Sequence, residues 1–209
     1  MKQNDRRRMR SILWLAPLLM IPAACGRGSP QEEPSSAPDA AWVVVDSLIP
    51  MDQALDRFRG GLVESVGLSG GADSRDDLVE KVVRAFEAQD TMAFEALAVN
   101  RAEWAFLYYP HNVLSKPPYE LPPALAWFQL QEANRKGVLR GLRELGGHRV
   151  TYQGYTCSQE PVLEGENRIW TGCTVMLRRD DGDPVTITLF AAILERDGRF
   201  AVLSYDNDF

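Results

Sequence analysis

Thiols, phenols and imidazoles are the side chains here whose type and spacing can do chemistry: three cysteines, six tyrosines and two histidines. Cys157 and Cys173 have neither a second Cys nor a His at metal-ligand spacing. In an oxidising compartment two such cysteines most simply form a disulfide, with buried free thiols as the alternative. Tyr108, Tyr109 and His111 crowd together ahead of a proline-rich loop. A phenol can donate to a developing oxyanion, and an imidazole that titrates near neutrality can act as a base. An enzyme of that kind also needs a carboxylate base within reach, and no one acid stands out. A loop histidine facing solvent or an aromatic neighbour is the commoner role for His111, and His148, after Gly146-Gly147, has still less claim. Tyr205-Asp206-Asn207-Asp208-Phe209 clusters carboxylates without the Gly and distal Glu of a calcium loop, so a solvated strand end is expected. Trp104, Phe106, Tyr108, Tyr109, Trp127, Phe128 and Trp170 can line a ligand cavity, but aromatics at helical and strand spacing are more often core. Gly-rich phosphate loops, H-E-x-x-H, C-x-x-C and G-x-S-x-G are absent. Nucleotide chemistry, serine hydrolysis and a bound metal or cofactor therefore have no support.

The third cysteine, Cys25, sits at the end of a different pattern. Lys2, Arg6, Arg7, Arg8 and Arg10 precede an uncharged apolar run from Ile12 to Ile21, followed by Ala23-Ala24. A basic head, short apolar middle and small-residue exit form a secretory signal; the run is shorter than the roughly 20 residues a bilayer span needs. Pro22-Ala23-Ala24-Cys25 resembles a bacterial lipobox, although Pro22 stands where that family usually has Leu. The resemblance implies a diacylglycerol on the Cys25 sulfur and cleavage before it. With two or three acyl chains the membrane would hold the protein stably. Gly26 rather than Asp after the cysteine, by resemblance to Gram-negative lipoproteins, implies the outer membrane. The alternative is an ordinary signal peptide and a soluble secreted product. The arginines also resemble, more weakly, a twin-arginine export signal.

Three regions follow from this: 1–24 as signal peptide, 25–40 as lipidated Cys and disordered tether, and 41–209 as one globular domain. Of 23 Lys and Arg and 29 Asp and Glu, residues 1–24 hold five and one; the rest carries 18 against 28, a formal charge of −10. Nucleic-acid binding wants a basic face and is not expected. Residues 26–40 have almost nothing to bury and, stretched out, reach roughly 45 Å.

The elements that must position these side chains are legible in outline. Trp42–Val45 reads as a short strand, and 50–59 as a helix with Met51, Leu55 and Phe58 on one face. Ser74 and Asp77 form an S-x-x-D box ahead of the stripe Leu78, Val79, Val82, Val83, Phe86. Asp90 starts a second helix, Ala102–Tyr109 forms a third, and five prolines make 110–123 an irregular loop. Pro123 opens a long helix to Leu145, polar in its middle. Strands are expected at 149–158, 168–178, 185–195 and 199–206, joined by turn sequences into an antiparallel meander. Positions 157 and 173 are symmetric about Gly165, so they face each other if the turn region holds no bulge.

Helices followed by strands argue an α+β fold, N-terminal helices packed on one face of a curved antiparallel sheet. The order of capped helix, second helix, long helix and four-strand meander resembles the nuclear transport factor two-like superfamily over about residues 74–209. That resemblance implies a cone with a pocket for an apolar ligand, and the fold serves enzymes, binders and dimerisation modules alike. The leading expectation is a lipid-anchored, non-enzymatic envelope protein facing the periplasm that binds an apolar small ligand or an envelope protein. The contact residues expected are Tyr108, Tyr109, His111, Tyr119 and Trp127, with 112–118 dispensable for folding. The alternatives are an isomerase- or cyclase-like enzyme using the cone pocket, and a structural assembly module.

Overall fold

Helical periodicity is first realised at Met51–Arg59 (α1), with Phe58 buried. The computed structural model describes residues 49–157, 160–180 and 182–207; the leader, Cys25, the 26–40 segment, Trp42–Val45 and Asp208 lie outside the described residues. Arg75–Ala88 (α2) starts as the box predicts, the Ser74 hydroxyl accepting from the Asp77 N–H at 3.1 Å. The Asp77 carboxylate pairs with Lys81 one turn on, at 2.8 Å, so half of the reciprocal box forms. Thr91–Leu97 (α3) begins under the Asp90 carboxylate, which accepts from the N–H groups of Met92 and Ala93.

The third expected helix is broken up. Arg101–Glu103 (α4) passes into a π-helical turn, Trp104–Tyr108, and then 3-10 turns at Tyr109–His111 and Val113–Ser115. The buried Glu103 carboxylate accepts from the Ser69 N–H (2.6 Å), the Ser69 hydroxyl (2.7 Å) and the Asn100 N–H (3.0 Å), which pins the first turn. Arg59 of α1 then donates Nε and Nη2 to the Ala105 carbonyl at 3.1 and 3.0 Å. An outside donor on that carbonyl accommodates a widened turn. The long helix Pro123–Leu145 (α5) has the expected bounds.

The strands are Val150–Cys157 (β1), Val162–Glu164 (β2), Asn167–Thr171 (β3), Cys173–Arg179 (β4), Pro184–Ile187 (β5), Ala192–Arg196 (β6) and Arg199–Ser204 (β7). Among the described residues every pair of these strands is antiparallel, in two sheets ordered β1-β4-β5 and β2-β3-β6-β7. The expected second strand breaks at Gly172, whose φ of +60° suits glycine. The third breaks over 188–191. The meander thus bends into two sheets. Between β6 and β7, Asp197 and Gly198 both have positive φ (51° and 76°), as a two-residue type I′ turn requires.

Cys157 and Cys173 are register partners and are bonded. The hairpin centre lies between Gly165 and Glu166, because Glu164 pairs with Asn167. Between the pairs Val162–Ile169 and Cys157–Cys173 the β1 side carries one more residue than the β3 side. That irregularity brings the cysteines opposite each other.

Alternation along β6 and β7 feeds two apolar clusters. Ile193 and Val202 join Val79, Phe86, Phe94 and Leu97 from α2 and α3. Leu194, Ala201 and Leu203, pointing the other way, join Phe58, Trp104, Leu107 and Ala126. The four-stranded sheet is thus covered on its second face as well, by α1, the π turn and the start of α5. The space between α2, α3 and the sheets is filled with side chains such as Phe86, Phe190 and Leu177, all fully buried. No described helix is long and apolar enough to cross a membrane.

Candidate functional site

Two glycines draw α5 tightly onto the domain. A Cβ on Gly137 would lie 1.8 Å from the Tyr205 carbonyl oxygen, and one on Gly141 would lie 2.4 Å from the Phe86 ring. Asn134 completes the seat, its Oδ1 accepting from the Tyr205 N–H at 2.8 Å. The Tyr205 hydroxyl donates to the Phe94 carbonyl of α3 at 3.0 Å. Tyr205 therefore holds both helices from below, and a groove of about 580 Å³ opens between them.

Apolar side chains dominate its walls. Phe94 comes from α3, Ala98 and Val99 from the segment after it, and Trp127, Val138, Leu139 and Leu142 from α5. Polar groups at the rim are Glu95, Asn100, Gln131 and the Glu132–Arg135 pair, in which Arg135 donates Nε and Nη2 to the carboxylate at 3.2 and 2.9 Å. This contact holds the exposed Glu132 carboxyl below its ordinary pKa and raises the Arg135 guanidinium. Burial pushes the Tyr205 phenol far above its usual range. Such a surface can bind by excluding water from apolar area, with a few polar groups to orient the ligand. Among the described residues, no group of three or more His, Cys, Asp or Glu is placed to hold a metal ion.

The five expected contact residues do not share one surface. Trp127 lines the groove and packs against Trp104, ring centroids 5.4 Å apart. Tyr109 is a core residue rather than a contact: it is 1% exposed, stacks on Trp104 at 4.4 Å, and its hydroxyl donates to the Leu121 carbonyl. Burial pushes its phenol up to about 12. Tyr108 is half-buried, and the Asn112 Nδ2 donates to its hydroxyl at 2.7 Å and to the Glu164 carboxylate at 3.1 Å. Burial first, and the Glu164 charge second, raise that phenol above the ordinary range. His111 is exposed, its ring over Gly165 of the β2–β3 turn. Tyr119 is 61% exposed at the outer side of the loop.

The loop is therefore a strut as well as a surface. Asn112 is buried, bonded to Tyr108, Glu164 and the Leu114 N–H, and the Leu121 N–H donates to the Leu114 carbonyl. The expectation that 112–118 is dispensable for folding conflicts with this bonding, because removal would take the buried Asn112 from the half-buried Tyr108 hydroxyl and Glu164 carboxylate. Sequence reasoning missed Phe94, Asn134, Leu139 and Leu142 as site residues. Their only signal was the placement of Leu139 and Leu142 beyond the polar middle of α5.

No known family model matches the chain, and neither a curated protein nor a solved structure matches it.

Proposed function

We propose that the chain is a lipid-anchored bacterial cell-envelope protein whose globular domain binds an apolar ligand or an apolar segment of a partner without transforming it. The observation that carries this reading is the apolar groove between α3 and α5, open at the surface and supported from beneath by Tyr205. The secretory pattern ending at Cys25 and the Cys157–Cys173 disulfide support an exported, oxidising location. The lipobox-like residues support attachment through Cys25, and Gly26 supports the outer membrane, facing the periplasm. The element order supports kinship with the nuclear transport factor two-like superfamily, with its interior filled and its binding surface moved to the helical side.

Two measurements test the reading. Intact mass spectrometry of membrane-extracted protein should show a chain starting at Cys25 with added acyl mass; an unmodified start elsewhere would remove the anchor. Titration with anilinonaphthalene sulfonate should show saturable binding that Thr91→Trp with Gln131→Trp, two bulky rings at exposed groove positions, weakens by roughly ten-fold. Unchanged binding would remove the groove.

The second reading, an isomerase- or cyclase-like enzyme, draws on one observation: the Tyr108 hydroxyl lies beside the Glu164 carboxylate. Asn112 occupies the space between them, and the groove opens elsewhere. A binding module is the better account.

A further inference from the structure

One face of α5 is turned away from the domain. Ala126, Gly137, Gly141 and Leu145 are buried inward, whereas Leu125, Phe128 and Leu139 are 43%, 60% and 49% exposed. Leu125, Phe128, Glu132, Arg135, Leu139 and Leu142 are spaced alternately three and four residues apart. That is the seam of a two-stranded coiled coil. The order along the seam, Leu-Phe-Glu-Arg-Leu-Leu, is complementary to its own reverse. Across a two-fold axis between Ala133 and Asn134, Leu125 meets the partner's Leu142, a side chain half-buried at the edge of this face. Phe128 meets the partner's Leu139, and Glu132 meets the partner's Arg135. A parallel alignment would instead set Glu132 on the partner's Glu132 and Arg135 on the partner's Arg135, so the two charges select direction and register. Arg135 uses two of its five N–H donors on its own Glu132, which leaves donors for a second carboxylate.

We propose that α5 is a self-association surface, on which a second copy of this chain packs as an antiparallel helix about a two-fold axis. Apolar layers at both ends flank a central ring of two Glu132–Arg135 pairs. The seam from residue 125 to 142 is about 27 Å long at 1.5 Å per residue. A single helix pair of that length is a small interface, so the dimer is reversible and depends on concentration. The inference does not need a groove ligand, but Glu132, Arg135, Leu139 and Leu142 also line the groove, so a second copy on the seam and a ligand in the groove compete for the same residues.

Sedimentation equilibrium of the chain as its bacterium processes it, in density-matched detergent, decides the matter. The native protein should show a monomer–dimer equilibrium. Glu132→Arg and Arg135→Glu each set like charges across the axis and should weaken the dimer by at least about ten-fold. The double variant, Glu132→Arg with Arg135→Glu, should restore it. Both positions lie on the helix surface, and circular dichroism will confirm that each variant is folded. A protein that is monomeric at every concentration, a dimer that neither single reversal weakens, or a weakening the double variant does not repair would overturn the proposal.

Discussion

Gly137 of α5 lies directly against the backbone of Tyr205, so close that a Cβ there would sit 1.8 Å from the Tyr205 carbonyl oxygen. The neighbouring atom is main chain and cannot turn aside as a side chain would. Gly137→Ala should force α5 away from the end of β7 and cost about 2–3 kcal/mol, at the upper end of ordinary overpacking. A lowered urea midpoint with an unchanged slope is the expected result. An alanine variant of native stability would show that α5 is seated less tightly than this contact requires.

Alkaline stability follows from the tyrosines. Burial raises the phenols of Tyr108, Tyr109 and Tyr205 above their ordinary value. Above about pH 10 the phenols of the unfolded chain ionise while those of the fold keep their protons. The unfolded state then binds fewer protons, so stability falls as pH rises. The contribution of Tyr109 is fully present below about pH 10 and is lost as the pH climbs through about 12. Tyr109→Phe should cost about 1 kcal/mol at neutral pH through the lost bond to Leu121, and its stability should fall less steeply above pH 10. Unfolding curves at stepped pH compare the two slopes; parallel slopes would count against a buried, proton-holding Tyr109.

The disulfide closes a separation of 16 residues between adjacent strands. Replacing both cysteines, Cys157→Ser with Cys173→Ser, should cost about 3 kcal/mol by the chain-entropy relation. The loss should appear as a lower thermal midpoint. Arg75 packs its guanidinium 3.5 Å from the Trp170 ring centre, with Nη1 3.9 Å from the Cys157 sulfur. Loosening of the β1–β4 edge should therefore change the environment of Trp170 and its fluorescence. A variant of native stability would show that register alone holds the two strands.

Much of the framework was legible because its causes are local. Ser74 and Asp90 cap helices because each side chain bonds N–H groups two or three residues on. Pro123 and Gly146 bound α5, and Asp197-Gly198 turns β6 into β7, through backbone preferences carried by single residues. The π turn was not legible. It depends on Arg59 reaching a carbonyl 46 positions away, and no window of the sequence contains both partners. The same reason hid the place of Asn112 between Tyr108 and Glu164, the latter 52 positions away; the burial of Tyr109 followed from the irregular path that carries it back to the Leu121 carbonyl.

The sequence by itself determined where α2, α3 and α5 begin, where α5 ends, the turn between β6 and β7, the α+β order and which cysteines can pair, since capping, turn chemistry and apolar periodicity act over a few residues. Tertiary structure alone decided the bend at Gly172, the covering of β6 and β7 on both faces, and the groove between α3 and α5. Those features arise where segments distant in the chain exclude one another's atoms. The seat of Gly137 on Tyr205 is one such contact: a glycine in a helix announces only a missing side chain, and the fold decides what fills its place.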